Sequence, residues 1–178
     1  MGYNKKTNFL IKGRGLIMTA LIVAYAQNRV IGSNGKIPWK IKGEQKRFKE
    51  LTTGNIVIMG RKSYEEIGHP LPDRFTVVVS RTANYRAENC ITVSSLDEAL
   101  KFAEDMGKDA FISGGAGLYT EAIEFVDKMY VTLIKNEIAG DVFFPEFDTV
   151  KWDYEETASF TGEIPYVYCT YTRRQKTG

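Results

Sequence analysis

A chain of 178 residues with 43% apolar and 26% charged residues fits one globular domain with a core of ordinary size. A net charge of +2 is too small to argue for nucleic acid. The longest apolar run, Ala20 to Ala26, is far too short to span a bilayer, so neither class of partner is expected.

The first 17 residues carry basic residues and only two short apolar pieces, Phe9-Leu10-Ile11 and Leu16-Ile17. They lack the continuous apolar stretch and small-residue cleavage site of a signal peptide. Residues 1–17 therefore read as a leader or upstream extension without fixed structure, and residues 18–178 as a single domain. Strand-like runs follow at Ala20–Ala26, Ile56–Met59, Phe75–Ser80, Ala110–Ser113 and Met129–Ile134, each rich in β-branched or apolar residues. Helical patterns lie between them at Glu44–Thr53, Arg61–Ile67, Leu96–Met106 and Ala116–Phe125. Ser95 followed by Glu98 forms a capping box for the third. The last 30 residues, with the alternating stretch Tyr166–Thr172, read as an antiparallel hairpin without helix. Strands alternating with helices predict an α/β fold: a three-layer domain around a mostly parallel central sheet, closed by a C-terminal antiparallel hairpin.

One histidine, His69, and two cysteines without metal-ligand spacing, Cys90 and Cys169, leave little material for a serine triad or a zinc centre. No metal is expected, and free thiols fit a cytoplasmic protein.

Three segments could carry chemistry. In Asn28–Phe48, a loop rich in Gly and Asn leads through Pro38-Trp39 to Glu44 in the first turn of a helix. Phe48 follows four residues later on the same face. A carboxylate beside an apolar ring suits a flat heterocycle with donor edges, although an acid in a first turn is more often simply solvated. In Ile56–Ser63 a buried strand runs into Gly60, then Arg61, Lys62 and Ser63, which would present amides and positive charge to a phosphate. Ser80-Arg81-Thr82 repeats that pattern after the next strand; either basic turn alone could be mere solvated charge. Third, Ser113-Gly114-Gly115-Ala116-Gly117-Leu118-Tyr119 sits between strand and helix. Thr120 stands where a dinucleotide fingerprint needs its third glycine, so an ordinary Rossmann turn is excluded. Its glycines permit close backbone approach to a pyrophosphate, or simply a tight turn.

In this order the segments resemble the dihydrofolate reductase family. The resemblance runs from Met18 to about Arg174. It rests on Ala24, Arg29-Val30-Ile31-Gly32, Ile37-Pro38-Trp39, Glu44 with Phe48-Lys49, and Ile58-Met59-Gly60-Arg61-Lys62-Ser63. Gly68-His69-Pro70-Leu71-Pro72 with Arg74, Ser80-Arg81, Gly114-Gly115-Ala116, Tyr119, Tyr130 with Thr132, Gly140-Asp141 and Phe144-Pro145 continue it. Each piece is weak; their collinearity is the signal.

The resemblance implies reduction of 7,8-dihydrofolate by NADPH, with hydride delivered to C6 and a proton to N5. It assigns Glu44, Trp39 and Thr132 to catalysis: Glu44 as the carboxylate that bonds the pterin, Thr132 as its support, Trp39 as the holder of a nearby water. Ile22, Val23, Phe48 and Ile67 would join Glu44 and Thr132 in the substrate pocket, and Arg74 would pair with the α-carboxylate of the glutamate tail. Ala24 and Ile31 would touch the nicotinamide, with Gly32, Lys36 and Ile37 beside them and residues 27–36 as a mobile lid. Gly60, Arg61, Lys62, Ser63, Ser80 and Arg81 would bind the adenosine phosphates, and Gly114, Gly115, Ala116, Gly117, Leu118 and Tyr119 the pyrophosphate. The implied partners are dihydrofolate, NADPH and antifolate inhibitors, and the implied assembly is a monomer.

Some positions depart from the pattern. Glu44 stands where chromosomal bacterial members usually carry Asp, Gln45 replaces an apolar neighbour, Ser113 a branched apolar residue, and Val142 a common hydroxyl. Glu44 and Gln45 together suggest insensitivity to diaminopyrimidines such as trimethoprim. Two rivals remain. The pyrimidine reductase of riboflavin synthesis shares fold and cofactor but lacks the Trp39, Glu44, Phe48 and Arg74 set; a non-catalytic nucleotide-binding module would not need Glu44 with Thr132.

Overall fold

The computed structural model describes residues 17–175. The reading of residues 1–17 as an extension lies outside the described residues except at Ile17, which packs against the core.

The first apolar run becomes β1 (Thr19–Ala26), central because both of its faces are apolar. It pairs in parallel with β6 (Ala110–Ile112) on one side and β7 (Lys128–Ile134) on the other. Beyond β6 lie β3 (Ile56–Gly60), β4 (Phe75–Val79) and the edge strand β5 (Cys90–Val93), all parallel. Beyond β7 the sheet turns antiparallel through β10 (Tyr166–Arg173) and β9 (Trp152–Phe160). The order β5-β4-β3-β6-β1-β7-β10-β9 is the mostly parallel sheet with a closing hairpin that the patterning predicts.

Helices cover both faces. On one, α3 (Leu96–Met106) and α4 (Ala116–Ala122) bury Leu96, Ala99, Leu100, Ala103, Tyr119 and Ala122 over Leu21, Val23, Ile58 and Val131. The Ser95 hydroxyl accepts from the Glu98 amide, half of the capping box the spacing predicts, while the Glu98 carboxylate accepts from the Ser94 amide and hydroxyl, one residue before the position the box requires. On the other face, α1 (Glu44–Thr52) and α2 (Arg61–Ile67) pack Phe48, Tyr64 and Ile67 near Val57, Met59, Leu71 and Val78. No described helix is long and apolar enough to cross a membrane.

Three differences from the sequence reading stand out. α4 ends at Ala122, not Phe125, and the chain leaves it through a turn over Ile123–Phe125. A short 3-10 turn, Thr149–Lys151, precedes β9 in a region read as free of helix; the Asp148 carboxylate accepts from the Val150 amide there. β5 and a small antiparallel pair, β2 (Val30–Gly32) with β8 (Val142–Phe143), went unread because they offer only two to four residues of pattern.

The β2–β8 pair positions the loop after β1. Ser33 and Lys36 close a tight hairpin through Asn34 and Gly35, both at positive φ, 50° and 77°. The loop's root is tied to the chain that follows β7: the Asn28 amide donates to the Ile138 carbonyl at 2.8 Å, and the Arg29 guanidinium to the Phe144 carbonyl at 3.0 Å. Gly140 lets the two segments touch, since a Cβ there would lie 2.3 Å from Val30 Cγ1 and 2.6 Å from the Gly32 carbonyl. Backbone cannot yield as a flexible side chain can, so Gly140→Ala should cost about 1–3 kcal/mol, as overpacking does. Thermal melts should show a loss of several degrees for Gly140→Ala and almost none for Gly117→Ala, where a Cβ would meet nothing within 4 Å. Equal melting of the two variants would mean the contact is not tight.

Candidate active site

The parallel strands bring their C-terminal ends to one edge of the sheet, where ligands of open α/β sheets bind. Strand register decides what gathers there. Ala24 on β1 is opposite Thr132 on β7, and Thr132 is opposite Tyr168 on β10, so the three side chains stand in a row on one face. α1 crosses above that row. Glu44, its first residue, receives the Thr132 hydroxyl on Oε1 at 2.6 Å. Nothing but backbone precedes it, for Gly43 supplies no side-chain cap; the helix's own unpaired amides and dipole favour the carboxylate. The pairing of Glu44 with Thr132 that the motifs imply is therefore present, across 88 residues of sequence.

Phe48, one turn on, packs with Ile67 against the cluster of Val57, Met59, Tyr64 and Leu71, giving an apolar wall on the same face as Glu44. Ile22 is two residues from Ala24 along β1 and shares that face. Arg74 is only 7% exposed. Its Nε donates to the Pro72 carbonyl at 2.9 Å, its Nη1 approaches the Thr52 hydroxyl at 3.4 Å, and its Cζ lies 5.7 Å from the Phe48 ring centroid. Among the described residues it has no ion-pair partner. Burial draws its guanidinium below the usual arginine range, with Asp73 opposing that shift. Such a buried, oriented cation suits a carboxylate. Trp39 is half-buried beside Ala24 and Ile41, against Ala26, Val30 and Ile134.

The three turns expected to meet phosphates come together. Gly60 ends β3 and its amide donates to the Gly114 carbonyl at 2.9 Å. A Cβ on Gly114 would lie 3.2 Å from Ser63 Oγ, so the Arg61-Lys62-Ser63 turn and the Gly114-Gly115 turn are in contact. The Gly114–Gly115 peptide is cis. β4 runs beside β3 with Gly60 opposite Val79, which puts Ser80 and Arg81 at the same edge. The first amides of α4, from Ala116 to Leu118, have no carbonyl one turn earlier and stay available to an anion. This backbone cradle fits a pyrophosphate. Lys62 and Arg81 are exposed, whereas Arg61 reaches Glu65 at 3.6 Å. The Ser80 hydroxyl accepts from the Thr82 and Ala83 amides and so shapes its turn.

Several expectations need correction. Val23, expected at the substrate, alternates to the opposite face and is buried with the α3 and α4 core, leaving only its backbone near the site. Tyr119, expected at the cofactor, is buried in that same core, and its hydroxyl donates to the Ile22 carbonyl at 2.7 Å. It supports the strand and the glycine turn from beneath. Gln45 is exposed on the second residue of α1. Lys36 and Ile37 stand exposed at the tip and exit of the hairpin, Ile37 at 62%; Ile31 and Gly32 are half-buried on β2.

Two residues that the motifs did not single out complete the site. Arg47 donates from Nη1 to Thr132 Oγ1 at 3.1 Å, and its Cζ lies 3.8 Å from the centre of the Tyr168 ring. The spacing of Arg47 from Glu44, three residues on one helix, was the available signal.

Comparison with known proteins gives the family. Residues 18–173 match the family model described as dihydrofolate reductase. The chain is 39% identical over 154 residues to dihydrofolate reductase type A13 of Escherichia coli, covering 86% of this chain and 93% of that protein. It is 39% identical over 153 residues to dihydrofolate reductase of Bacillus subtilis strain 168, covering 85% and 90%. Among solved structures, dihydrofolate reductase from Enterococcus faecalis complexed with NADP(H) and RAB-propyl superposes with a TM-score of 0.80 at 34% identity, over 89% of this chain and 97% of that one.

Proposed function

The chain belongs to the dihydrofolate reductase family of NADPH-dependent oxidoreductases, and from that premise we propose that it reduces 7,8-dihydrofolate to 5,6,7,8-tetrahydrofolate by hydride transfer to C6 with protonation at N5. The observation that carries this reading is the Glu44–Thr132 pair, which sets one oriented carboxylate on the face shared by Ala24, Ile22 and Phe48. Bound NADPH supplies the hydride. The chain's own residues hold and orient the two rings, and orientation is a large source of rate in such transfers.

In this reading Glu44 accepts from the pterin N–H and exocyclic amino groups and favours the protonated imine, while the Thr132 hydroxyl fixes its Oε1. Trp39 holds the water near N5. Phe48, Ile67 and Ile22 wall the ring, and Arg74 pairs with the α-carboxylate of the tail. Ala24 and Ile31 flank the nicotinamide under the 27–36 lid. Gly114 to Leu118 cradle the pyrophosphate, and Gly60 to Ser63 with Ser80 and Arg81 take the adenosine phosphates. The protein works as a monomer in the cytoplasm and discriminates against diaminopyrimidine antifolates.

Cofactor choice tests the basic turns. An additional 2′-phosphate can take charge-assisted bonds worth about 1.5–3 kcal/mol each, and Arg61, Lys62 and Arg81 stand at one edge to supply them. Steady-state assays with dihydrofolate should give kcat/KM at least about tenfold higher for NADPH than for NADH. Equal values would remove the phosphate role from these turns.

A further inference from the structure

Arg47 lies one turn after Glu44 on α1 and is half-buried between α1, β7 and β10. Its Nη1 donates to Thr132 Oγ1 at 3.1 Å, and Thr132 donates to Glu44 Oε1 at 2.6 Å. A guanidinium has only donors and a hydroxyl has one proton. With Arg47 donating, the Thr132 proton is left for Glu44. The carboxylate can only accept and the guanidinium only donate, so the one hydroxyl joins the two and holds the cation a single residue from the anion.

Arg47 also sets the charge behind the pocket. The titratable groups facing Arg47 are Glu44 on α1, Tyr130 on β7 and Tyr168 on β10, with Tyr166 beside Tyr168, whereas Cys169 alternates to the opposite face of the sheet. Tyr168 stays a neutral phenol, since burial first and then Glu44 push it up to about 12, with Arg47 opposing. Burial draws Arg47 below its usual range and Glu44 opposes that shift, yet a guanidinium keeps its proton at any working pH. One cation and one anion are thus linked through a single hydroxyl.

Resting on the reductase reading above, we propose that Arg47 is a positioning and specificity-determining residue that offsets the negative charge of Glu44, so that the pocket favours neutral dihydrofolate over a cationic 2,4-diaminopyrimidine. Both ligands use the same carboxylate, but the inhibitor is held as a protonated ring. A second fixed cation in a partly dry site opposes that ring and leaves the neutral pterin nearly unaffected. The same field opposes the proton on N5, so Arg47 holds the fall-off of hydride transfer at lower pH than Glu44 alone would give.

The test uses the full chain with Arg47→Leu, Arg47→Met and Arg47→Lys. Fluorescence titration gives Kd for trimethoprim and for folate, and single-turnover hydride transfer is followed against pH. In the two apolar variants the ratio of the trimethoprim Kd to the folate Kd should fall about tenfold, and the fall-off in rate should move to higher pH. Arg47→Lys keeps the charge and should keep the wild-type ratio. Equal shifts for both ligands with an unmoved pH profile would show that Arg47 only packs α1 against Tyr168, and the proposal would fall. A folded Arg47→Lys that loses the ratio would also overturn it. Failure of the wild type to oxidise NADPH with dihydrofolate would strike the reductase reading beneath it.

Discussion

Glu44→Gln lowers turnover with dihydrofolate about a hundred- to ten-thousandfold at neutral pH, the range for loss of a positioned proton-handling group, and recovers part of that loss in acid. The amide is nearly isosteric and its oxygen can still accept from the Thr132 hydroxyl, which now bonds Glu44 Oε1 at 2.6 Å, so the fold should be kept. What goes is the anion that favours a protonated imine. As pH falls, solution supplies that proton and the substrate arrives already charged, so the missing carboxylate matters less. The sign is therefore a deficit that narrows toward low pH. A deficit constant across pH would remove Glu44 from the proton step and leave it a binding role alone.

Arg74→Leu weakens folate binding by about 2–5 kcal/mol, the cost of removing one member of a desolvated charge pair. That corresponds to roughly thirty- to several-thousandfold in Kd. Arg74 is only 7% exposed, and its guanidinium is aimed by the Pro72 carbonyl and the Thr52 hydroxyl. Leucine keeps the apolar contact with Phe48 but leaves the tail's carboxylate without a partner. Thr52 still donates its hydroxyl to the Phe48 carbonyl at 2.7 Å, so the helix end stays satisfied. A pteridine without a glutamate tail serves as the control. Isothermal titration should show it binding both proteins alike. Equal losses for folate and the tail-less ring would mean that the substitution damages the pocket as a whole and that Arg74 does not read the tail.

Much of this was legible because the chemistry lies at the ends of strongly patterned elements. The runs Ala20–Ala26 and Ile56–Met59 are apolar on every residue, as buried parallel strands are, so the pattern locates both strands and the turns that follow them. Ser95 and Glu98 placed α3 to the residue. What escaped depends on contacts between distant segments. Val23 is as apolar as its neighbours, and only the period of two along β1, anchored by a partner on the sheet, says which face it takes. Tyr119 sits in a cofactor-like motif, yet its hydroxyl meets a carbonyl 97 residues away. Arg47 reads as a surface charge on a polar helix. It acquires meaning only when β7 and β10 bring Thr132 and Tyr168 beneath it. Gly140 looks like a loop glycine until Val30 is seen against it.

The central claim is that this chain moves a hydride from NADPH to the pterin ring, and isotopic labelling tests it most directly. The protein would be given NADPH deuterated at both C4 positions of the nicotinamide, with unlabelled 7,8-dihydrofolate, and the folate product analysed by mass spectrometry. The account predicts tetrahydrofolate carrying a single deuterium at C6, with one NADPH oxidised for each molecule formed. Tetrahydrofolate without deuterium, or NADPH oxidation that is indifferent to dihydrofolate, would contradict it.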